Sequence, residues 1–173
     1  MNVALFGTSA DPPTTGHLEI LRWLSEQFDQ VAVWAADNPF KSHQTPLEHR
    51  TAMLPLLIHD LACPNVRVHP ELSHLRTLIT IERAQERWQG AELTLVVGSD
   101  AARQLPKWFR AAELLQLVKV LVVPRSGYDF QPHDFERLRE LGAEVAIAPI
   151  SVPAVSSTAY REHRDLGGVT HSI

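Results

Sequence analysis

Short apolar runs alternate along the chain with longer segments in which apolar residues recur every three or four positions. Continuous apolar runs are typical of strands buried on both faces of a parallel sheet, and the longer spacing is typical of amphipathic helices. The alternation predicts a doubly wound, Rossmann-like α/β fold with a parallel sheet and helices on both faces. The predicted strands are 3–6, 31–35, 66–69, 93–97, 119–123 and 144–147, and the predicted helices are 17–27, 46–59, 75–88, 110–117 and 132–141.

The second predicted helix carries both a start signal and an interruption. Thr45 is placed to cap it, Pro46 to occupy its first position and Glu48 to complete a capping box. Pro55 lies inside the same segment and has no backbone N–H to donate. We therefore expect this helix to end or kink near Leu54.

Length and composition predict one folded domain spanning residues 1–173, large enough for a substantial core. Hydrophobic residues make up 45% of the chain and charged residues 21%, which excludes a disordered protein. The net charge is −4 and no cluster of lysines and arginines occurs, so a nucleic-acid partner is not expected.

The sequence also bears on location. No apolar run approaches the roughly 18 residues that a membrane span needs, and the chain enters its first strand without a basic segment before an apolar one. Cys63 is the single cysteine, so an internal disulfide is excluded and a reducing compartment fits. We expect a cytoplasmic protein without a membrane partner, in which Cys63 is structural or incidental.

The loop between the first predicted strand and helix is the first candidate site. Open α/β folds bind ligands where strands end and helices begin. Gly7 lets a ligand approach the backbone, and free amides at the helix start attract phosphate. His17 is expected in the first helical turn, so the loop predicts a small anionic ligand. The alternative is a loop rich in glycine and proline that only turns the chain, with a structural histidine.

A second candidate lies near the end of the sequence, at Ser156, Ser157, Thr158 and Arg161. Ser157 can cap a helix that starts at Thr158. Hydroxyl groups and free amides at a helix start, with an arginine one turn later, can hold phosphate. The alternative is a well-capped helix without a ligand.

The first loop resembles the G-x-F-D-P-x-H-x-G-H signature of a nucleotidyltransferase superfamily, with Thr14 in place of the first histidine and Ser9-Ala10 where Thr/Ser-Phe is usual. The second candidate is similar to the I-S-S-T-x-I-R element of the nicotinate- and nicotinamide-nucleotide adenylyltransferases within it. Three middle segments also resemble that family. They are Asn38-Pro39-Phe40-Lys41 with Arg50 and Met53, Gly98-Ser99-Asp100, and Pro106-Lys107-Trp108.

The resemblance implies a role for each matching residue. The implied catalytic residues are Thr14, His17, Lys41 and Arg161, with His17 on the α-phosphate and the two cations on the β- and γ-phosphates. Residues implied to bind ATP are Gly7, Thr8, Ser9, Gly16, Gly98, Asp100, Ser156, Ser157 and Thr158. Those implied to bind the mononucleotide are Asn38, Arg50, His74, Thr77 and Trp108. Without the family, Asp100 could equally cap a helix and Trp108 could equally belong to the core.

What the resemblance implies is adenylyl transfer from ATP to nicotinate mononucleotide, a step in NAD synthesis, with small-molecule partners and a possible homo-oligomer. Mg²⁺ is expected to arrive with ATP, and we expect no resident metal, because the remaining histidines do not show metal-ligand spacing.

The loop after the third predicted strand departs from the family. A Tyr-Thr pair usually precedes Thr-Leu there, and this chain has Ser73-His74-Leu75-Arg76-Thr77-Leu78 instead. Donors at His74, Arg76 and Thr77 could still bind a carboxylate, so we expect the acid substrate to be preferred over the amide. Nicotinamide mononucleotide or phosphopantetheine as substrate, and a catalytically silent nucleotide-binding regulator, are the alternatives.

Overall fold

The computed structural model describes residues 1–8, 15–36, 47–59, 61–124 and 131–149. Six parallel strands form one sheet in the order β3-β2-β1-β4-β5-β6. The strands are β1 Asn2–Thr8, β2 Gln30–Ala35, β3 Val66–Val68, β4 Glu92–Gly98, β5 Lys119–Val123 and β6 Val145–Ile147. The helices are α1 Thr15–Gln27, α2 Leu47–His59, α3 Thr77–Arg87, α4 Ser99–Gln104, α5 Ala111–Leu117 and α6 Pro132–Glu140.

The central strands are buried on both faces, which explains their continuous apolar sequences. In β1, Val3 and Leu5 belong to a first core cluster, and Ala4 and Phe6 belong to a second. Side chains of α3, α4, α5 and α6 contribute to the first cluster, and those of α1 and α2 contribute to the second. The described residues therefore form three layers, as the sequence predicts for a doubly wound fold.

All six predicted strands and all five predicted helices are confirmed, with ends that differ by at most two residues. Helix α4 and two short 3₁₀ segments, Pro70–Leu72 and Leu105–Lys107, were not predicted. The reason is physical: α4 begins directly at the end of β4 and is less than two turns long, so it has no apolar periodicity to detect.

Of the two effects predicted for Pro55, an end of the helix near Leu54 is wrong, because α2 continues through Pro55 to His59, and a kink there stays a prediction. Leu54 is buried, and Ile58 packs against the second core cluster one turn later. Burial on both sides of Pro55 offsets the hydrogen bond that the proline cannot donate. The predicted cap, Thr45, lies outside the described residues.

Two further features bear on the sequence predictions. Cys63 is half-buried, packs against the second core cluster and accepts a hydrogen bond from Ser25 Oγ at 3.4 Å, which fits a structural role. None of the helices in the described ranges combines the length and the apolar character needed to span a bilayer.

The sheet topology singles out one position. Strands β1 and β4 are neighbours, yet the helix after β1 packs on the second cluster and the helix after β4 packs on the first. The chain therefore leaves these two strands toward opposite faces, which opens a crevice at their carboxyl ends. Ligands of doubly wound proteins bind at such a point.

Candidate functional site

A glycine lies near the carboxyl end of each strand that borders the crevice. Gly7 pairs with Trp34 of β2, and a Cβ atom at position 7 would lie 2.7 Å from Trp34 Nε1. Trp34 is buried in the first core cluster, so its indole has little room to move. Packing against Trp34 therefore accounts for Gly7 without a ligand.

Gly98, the last residue of β4, is different. A Cβ atom placed there would have no described atom within 4 Å, and its φ of −75° is open to any residue. Neither backbone conformation nor packing against the described residues requires a glycine at this position. The free space beside Gly98 is consistent with the ligand-binding role predicted for it.

Asp100 lies in the first turn of α4 and is oriented by two linked ion pairs. Arg103 Nη1 donates to Asp100 Oδ1 at 3.2 Å, and Arg103 Nε donates to Asp134 Oδ2 at 3.3 Å. Asp134 is only 5% exposed and also accepts a hydrogen bond from the backbone N–H of Gln131 at the start of α6. A buried carboxylate thus anchors Arg103, and Arg103 in turn orients the exposed carboxylate of Asp100.

Ser99 stands between the two motif residues Gly98 and Asp100 and is fully buried. Its hydroxyl group has no hydrogen-bond partner among the described residues. A buried hydroxyl group without a partner costs free energy. The sequence analysis did not single out this serine.

The loop that leads from β3 to α3 is tied down at several points. Ser73 Oγ donates to the carbonyl oxygen of Ala35, the last residue of β2, at 2.9 Å. From α3, Arg83 Nη1 donates to the carbonyl oxygens of Glu71 and Ser73 at 2.9 and 3.2 Å, and Thr80 Oγ1 donates to that of Leu72. These bonds fix the loop at the carboxyl edge of the sheet.

A hydrogen bond between His69 and Glu71 stabilises the start of the same loop. His69 Nδ1 lies 2.7 Å from Glu71 Oε1, and the His69 ring packs edge-on against Trp88 with the centroids 5.1 Å apart. Partial burial raises the pKa of the Glu71 carboxyl, but its hydrogen bonds to its own backbone and to His69 outweigh this and hold that pKa below the ordinary value. Glu71 therefore stays ionised at neutral pH.

His74 and Thr77, both predicted to bind substrate, lie on this loop and at the start of α3. The Arg76 backbone N–H donates to His74 Nδ1 at 2.9 Å, so the neutral ring carries its proton on Nε2, which is then a donor. Thr77 is half-buried as the first residue of α3. Arg76 Cζ lies 4.2 Å from the centroid of the Phe109 ring, which brings this loop against the segment that contains Trp108.

Trp108 itself is half-buried and packs against the first core cluster. The exposed aromatic ring of this segment is instead Phe109, which is 41% exposed. Of the two interpretations of Trp108, packing is supported. Phe109 was missed because a single exposed phenylalanine has no sequence signal that separates it from a core residue.

His74 and Thr77 flank the loop residue Arg76, whose contact with Phe109 joins this loop to the segment that contains Trp108. Gly7, Thr8, Gly98 and Asp100 lie at or next to the carboxyl ends of β1 and β4. His17 lies in the first turn of α1, as predicted, with Gly16 before it, and Arg50 lies in the first turn of α2. The side chains of His17 and Arg50 are outside the described part. The same holds for all atoms of Ser9, Thr14, Asn38, Lys41, Ser156, Ser157, Thr158 and Arg161.

The described ranges contain no group of three or more His, Cys, Asp or Glu side chains that could hold a metal ion. The absence of a resident metal stays a prediction, because much of the first loop and the whole C-terminal segment are outside these ranges.

Comparison of the sequence with known proteins gives a consistent result. The profile of the Cytidylyltransferase-like family matches residues 5–163. A probable nicotinate-nucleotide adenylyltransferase of Synechocystis sp. is 44% identical over 95% of this chain and 90% of its own length. A nicotinate-nucleotide adenylyltransferase of Bacillus subtilis is 28% identical over 73% of this chain and 70% of its own length.

Solved structures support the fold. The nicotinic acid mononucleotide adenylyltransferase of Plasmodium falciparum, in a complex with NaAD, superimposes with a TM-score of 0.76 at 16% identity, covering 93% of this chain and 82% of that one. A putative nicotinate-nucleotide adenylyltransferase of Vibrio parahaemolyticus gives 0.61 at 22% identity, covering 89% and 99%. Identities this low establish the architecture alone.

Proposed function

Because the chain belongs to the nicotinate-nucleotide adenylyltransferase family, we propose that it transfers the adenylyl group of ATP to nicotinate mononucleotide, releasing pyrophosphate and forming nicotinate adenine dinucleotide. The reaction is a step of NAD synthesis. The observation that carries the proposal is the 44% identity to the Synechocystis relative over 95% of this chain. The family profile, which matches residues 5–163, spans every motif from the first loop to the C-terminal segment.

The chemistry needs little from the protein beyond positioning. The phosphate of the mononucleotide attacks the α-phosphorus of ATP, and the bond to pyrophosphate breaks on the opposite side. A phosphate monoester is already ionised and nucleophilic near neutral pH, so neither a general base nor a covalent intermediate is required. Catalysis then consists of holding the two phosphates in line and stabilising charge on the transferring group and the leaving group.

The residues that hold the phosphates come from both ends of the chain. His17 contacts the α-phosphate, Thr14 donates a hydrogen bond beside it, and Lys41 and Arg161 neutralise the β- and γ-phosphates. The position of His17 in the first turn of α1 supports this assignment, because the free amides of a helix start add favourable electrostatics for an anion. The remaining phosphate contacts are assigned to Gly7, Thr8, Ser9, Gly16, Ser156, Ser157 and Thr158.

Asp100 accepts hydrogen bonds from the ribose hydroxyl groups of ATP, next to the open space at Gly98. Two observations support this role: Asp100 is exposed at the carboxyl edge, and Arg103, anchored by buried Asp134, orients its carboxylate. On the other side of the crevice, the pyridine nucleotide is assigned to Asn38, Arg50, His74, Thr77 and Trp108. Of these, Trp108 acts by supporting the site from the core.

Three further properties are part of the proposal. Mg²⁺ enters bound to the phosphates of ATP and keeps water as its other ligands, as this ion usually does. The enzyme works in the cytoplasm as a single domain over residues 1–173. It uses small-molecule substrates only, without nucleic acid, and can form a homo-oligomer.

A pyrophosphate-release assay tests the reaction. Purified protein with ATP and Mg²⁺ is given nicotinate mononucleotide, nicotinamide mononucleotide or phosphopantetheine in parallel, and the dinucleotide product is identified by mass. We expect the highest rate with nicotinate mononucleotide. Release with phosphopantetheine alone would assign another substrate, and release with none of the three would favour a silent nucleotide-binding regulator.

A further inference from the structure

Two loops that are far apart in sequence meet at the contact between Arg76 and Phe109. Arg76 Cζ lies over the ring, 4.2 Å from its centroid. Other contacts of this kind, Arg87 with Trp88 and Arg139 with Phe135, join residues within or next to one helix and are longer, at 5.8 and 5.3 Å. The Arg76–Phe109 contact is therefore a tertiary contact, and it fixes where this guanidinium lies.

The Arg76 guanidinium remains available to an anion. Its side chain is exposed and makes no ion pair with any carboxylate of the described residues, whereas Arg103 and Arg110 pair with acidic side chains. A guanidinium whose central carbon lies over a ring still has N–H groups directed away from that ring, and these can make a planar, two-point contact with a carboxylate.

The loop that carries Arg76 is fixed before any ligand binds. Ser73 ties it to β2, and Arg83 and Thr80 tie it to α3. A preformed loop loses less conformational entropy on binding than a free one, so more of the interaction free energy appears as affinity.

The segment on the other side of the contact carries strain. Arg110, next to Phe109, has a φ of 50°, in the left-handed region that disfavours residues with a side chain. Its own guanidinium lies 5.3 Å from the same ring. Strain of this kind persists where the surroundings enforce it, often beside ligands. Here it accompanies an exposed ring with a cation over it.

We propose that Arg76, held over Phe109, is the residue that selects the acid over the amide. Its guanidinium binds the carboxylate of the pyridine ring through two N–H groups, and Phe109 is a positioning residue. An amide in the same place would offer one oxygen and turn its NH₂ toward a donor, which leaves that donor unpaired. This inference rests on the proposed function.

The test is the ratio of kcat/KM for nicotinate mononucleotide to that for nicotinamide mononucleotide. For Arg76→Gln we expect the ratio to fall about 10- to 100-fold, as the loss of a charge-assisted pair predicts, through a raised KM for the acid. The KM for ATP should not change. Arg87→Gln, another exposed arginine over a ring but on the last turn of α3, is the matched control and should keep the ratio.

Two further variants separate charge, geometry and position. Arg76→Lys keeps the charge without the two-point geometry and should recover only part of the ratio. Phe109→Leu keeps the arginine and removes the ring, and it should lower the ratio in the same direction by a smaller factor. Because Phe109 is 41% exposed, this variant should fold even if the Arg76→Gln protein does not.

The outcomes are distinct. A ratio within twofold of the wild-type value in folded Arg76→Gln, or in Phe109→Leu if that variant alone folds, overturns the inference. Wild-type protein that forms no nicotinate adenine dinucleotide overturns the proposed function instead. Wild-type preference for the acid that disappears in Arg76→Gln and persists in Arg87→Gln supports both.

Discussion

The two glycines at the carboxyl edge, Gly7 and Gly98, look alike in the sequence and differ in the structure. Each follows an apolar strand, and the two strands are neighbours in the sheet. The space beside Gly7 is filled by the indole of Trp34, and the space beside Gly98 is open among the described residues. Packing accounts for the glycine at position 7, whereas packing against the described residues does not account for the glycine at position 98, so the same residue at equivalent positions meets different constraints.

The largest expected effect, against which the effects of the two glycine variants can be compared, is the loss of turnover on replacing His17. His17→Ala should fold normally and lose turnover roughly 10²- to 10³-fold, because one preorganised donor to transition-state charge contributes that much. Steady-state kinetics with ATP and nicotinate mononucleotide, together with a thermal melt, measure both properties. Full activity in the folded variant would remove His17 from the mechanism.

Gly7→Ala should break the packing side of the comparison. The added methyl group meets a buried indole that has little room, and overpacking of this kind costs roughly 1–3 kcal/mol of folding stability. Chemical denaturation measures the loss. Combining Gly7→Ala with Trp34→Phe should cost less than the sum of the two single changes. Additive losses would mean that Trp34 is not the cause.

Gly98→Ala should do the opposite. No described atom opposes the new methyl group, so stability should stay within about 0.5 kcal/mol of wild type or rise slightly. A ligand in that space would be crowded, and the KM for ATP should rise about 5- to 10-fold, from a clash on the order of 1 kcal/mol. Unchanged kinetics would show that the nucleotide does not approach Gly98.

The smallest expected effect is that of replacing Lys119, which lies at the amino ends of the strands and forms ion pairs with Glu92 and Glu144. Lys119 donates hydrogen bonds to Glu92 and to Glu144, and these, in that order, raise the pKa of Lys119 above the ordinary value of 10.5. Since the folded-state pKa is the higher one, this contribution to stability is complete below pH 10.5 and is lost as the pH rises through the folded-state value. Lys119→Met should therefore melt with a slightly flatter profile than wild type between pH 10 and 12, with turnover at neutral pH unchanged. A difference in turnover would place Lys119 in the site.

The sequence was sufficient for the strands because burial on both faces leaves continuous apolar runs, as in β1 and β5. It was not sufficient for α4, which is too short to show a period, or for the path of α2 through Pro55, which burial of Leu54 decides. Family motifs placed Gly98, Asp100 and His74 near the crevice.

The sequence motifs did not predict tertiary contacts. The contact of Arg76 with Phe109 and the pair of Arg103 with Asp134 each join distant parts of the chain. Nothing in the local sequence specifies such contacts, because they depend on how helices pack. The same limit explains why the packing of Trp34 against Gly7 was not predicted, while the ligand-binding role of Gly7 stays a prediction.

A competition experiment tests the central claim most directly. Equal concentrations of nicotinate and nicotinamide mononucleotide are mixed with limiting ATP, Mg²⁺ and wild-type protein, and the two dinucleotides are separated and quantified at early times. The account predicts that nicotinate adenine dinucleotide forms in clear excess, with one pyrophosphate for each dinucleotide. Equal amounts of both products, an excess of the amide product or no dinucleotide at all would contradict it.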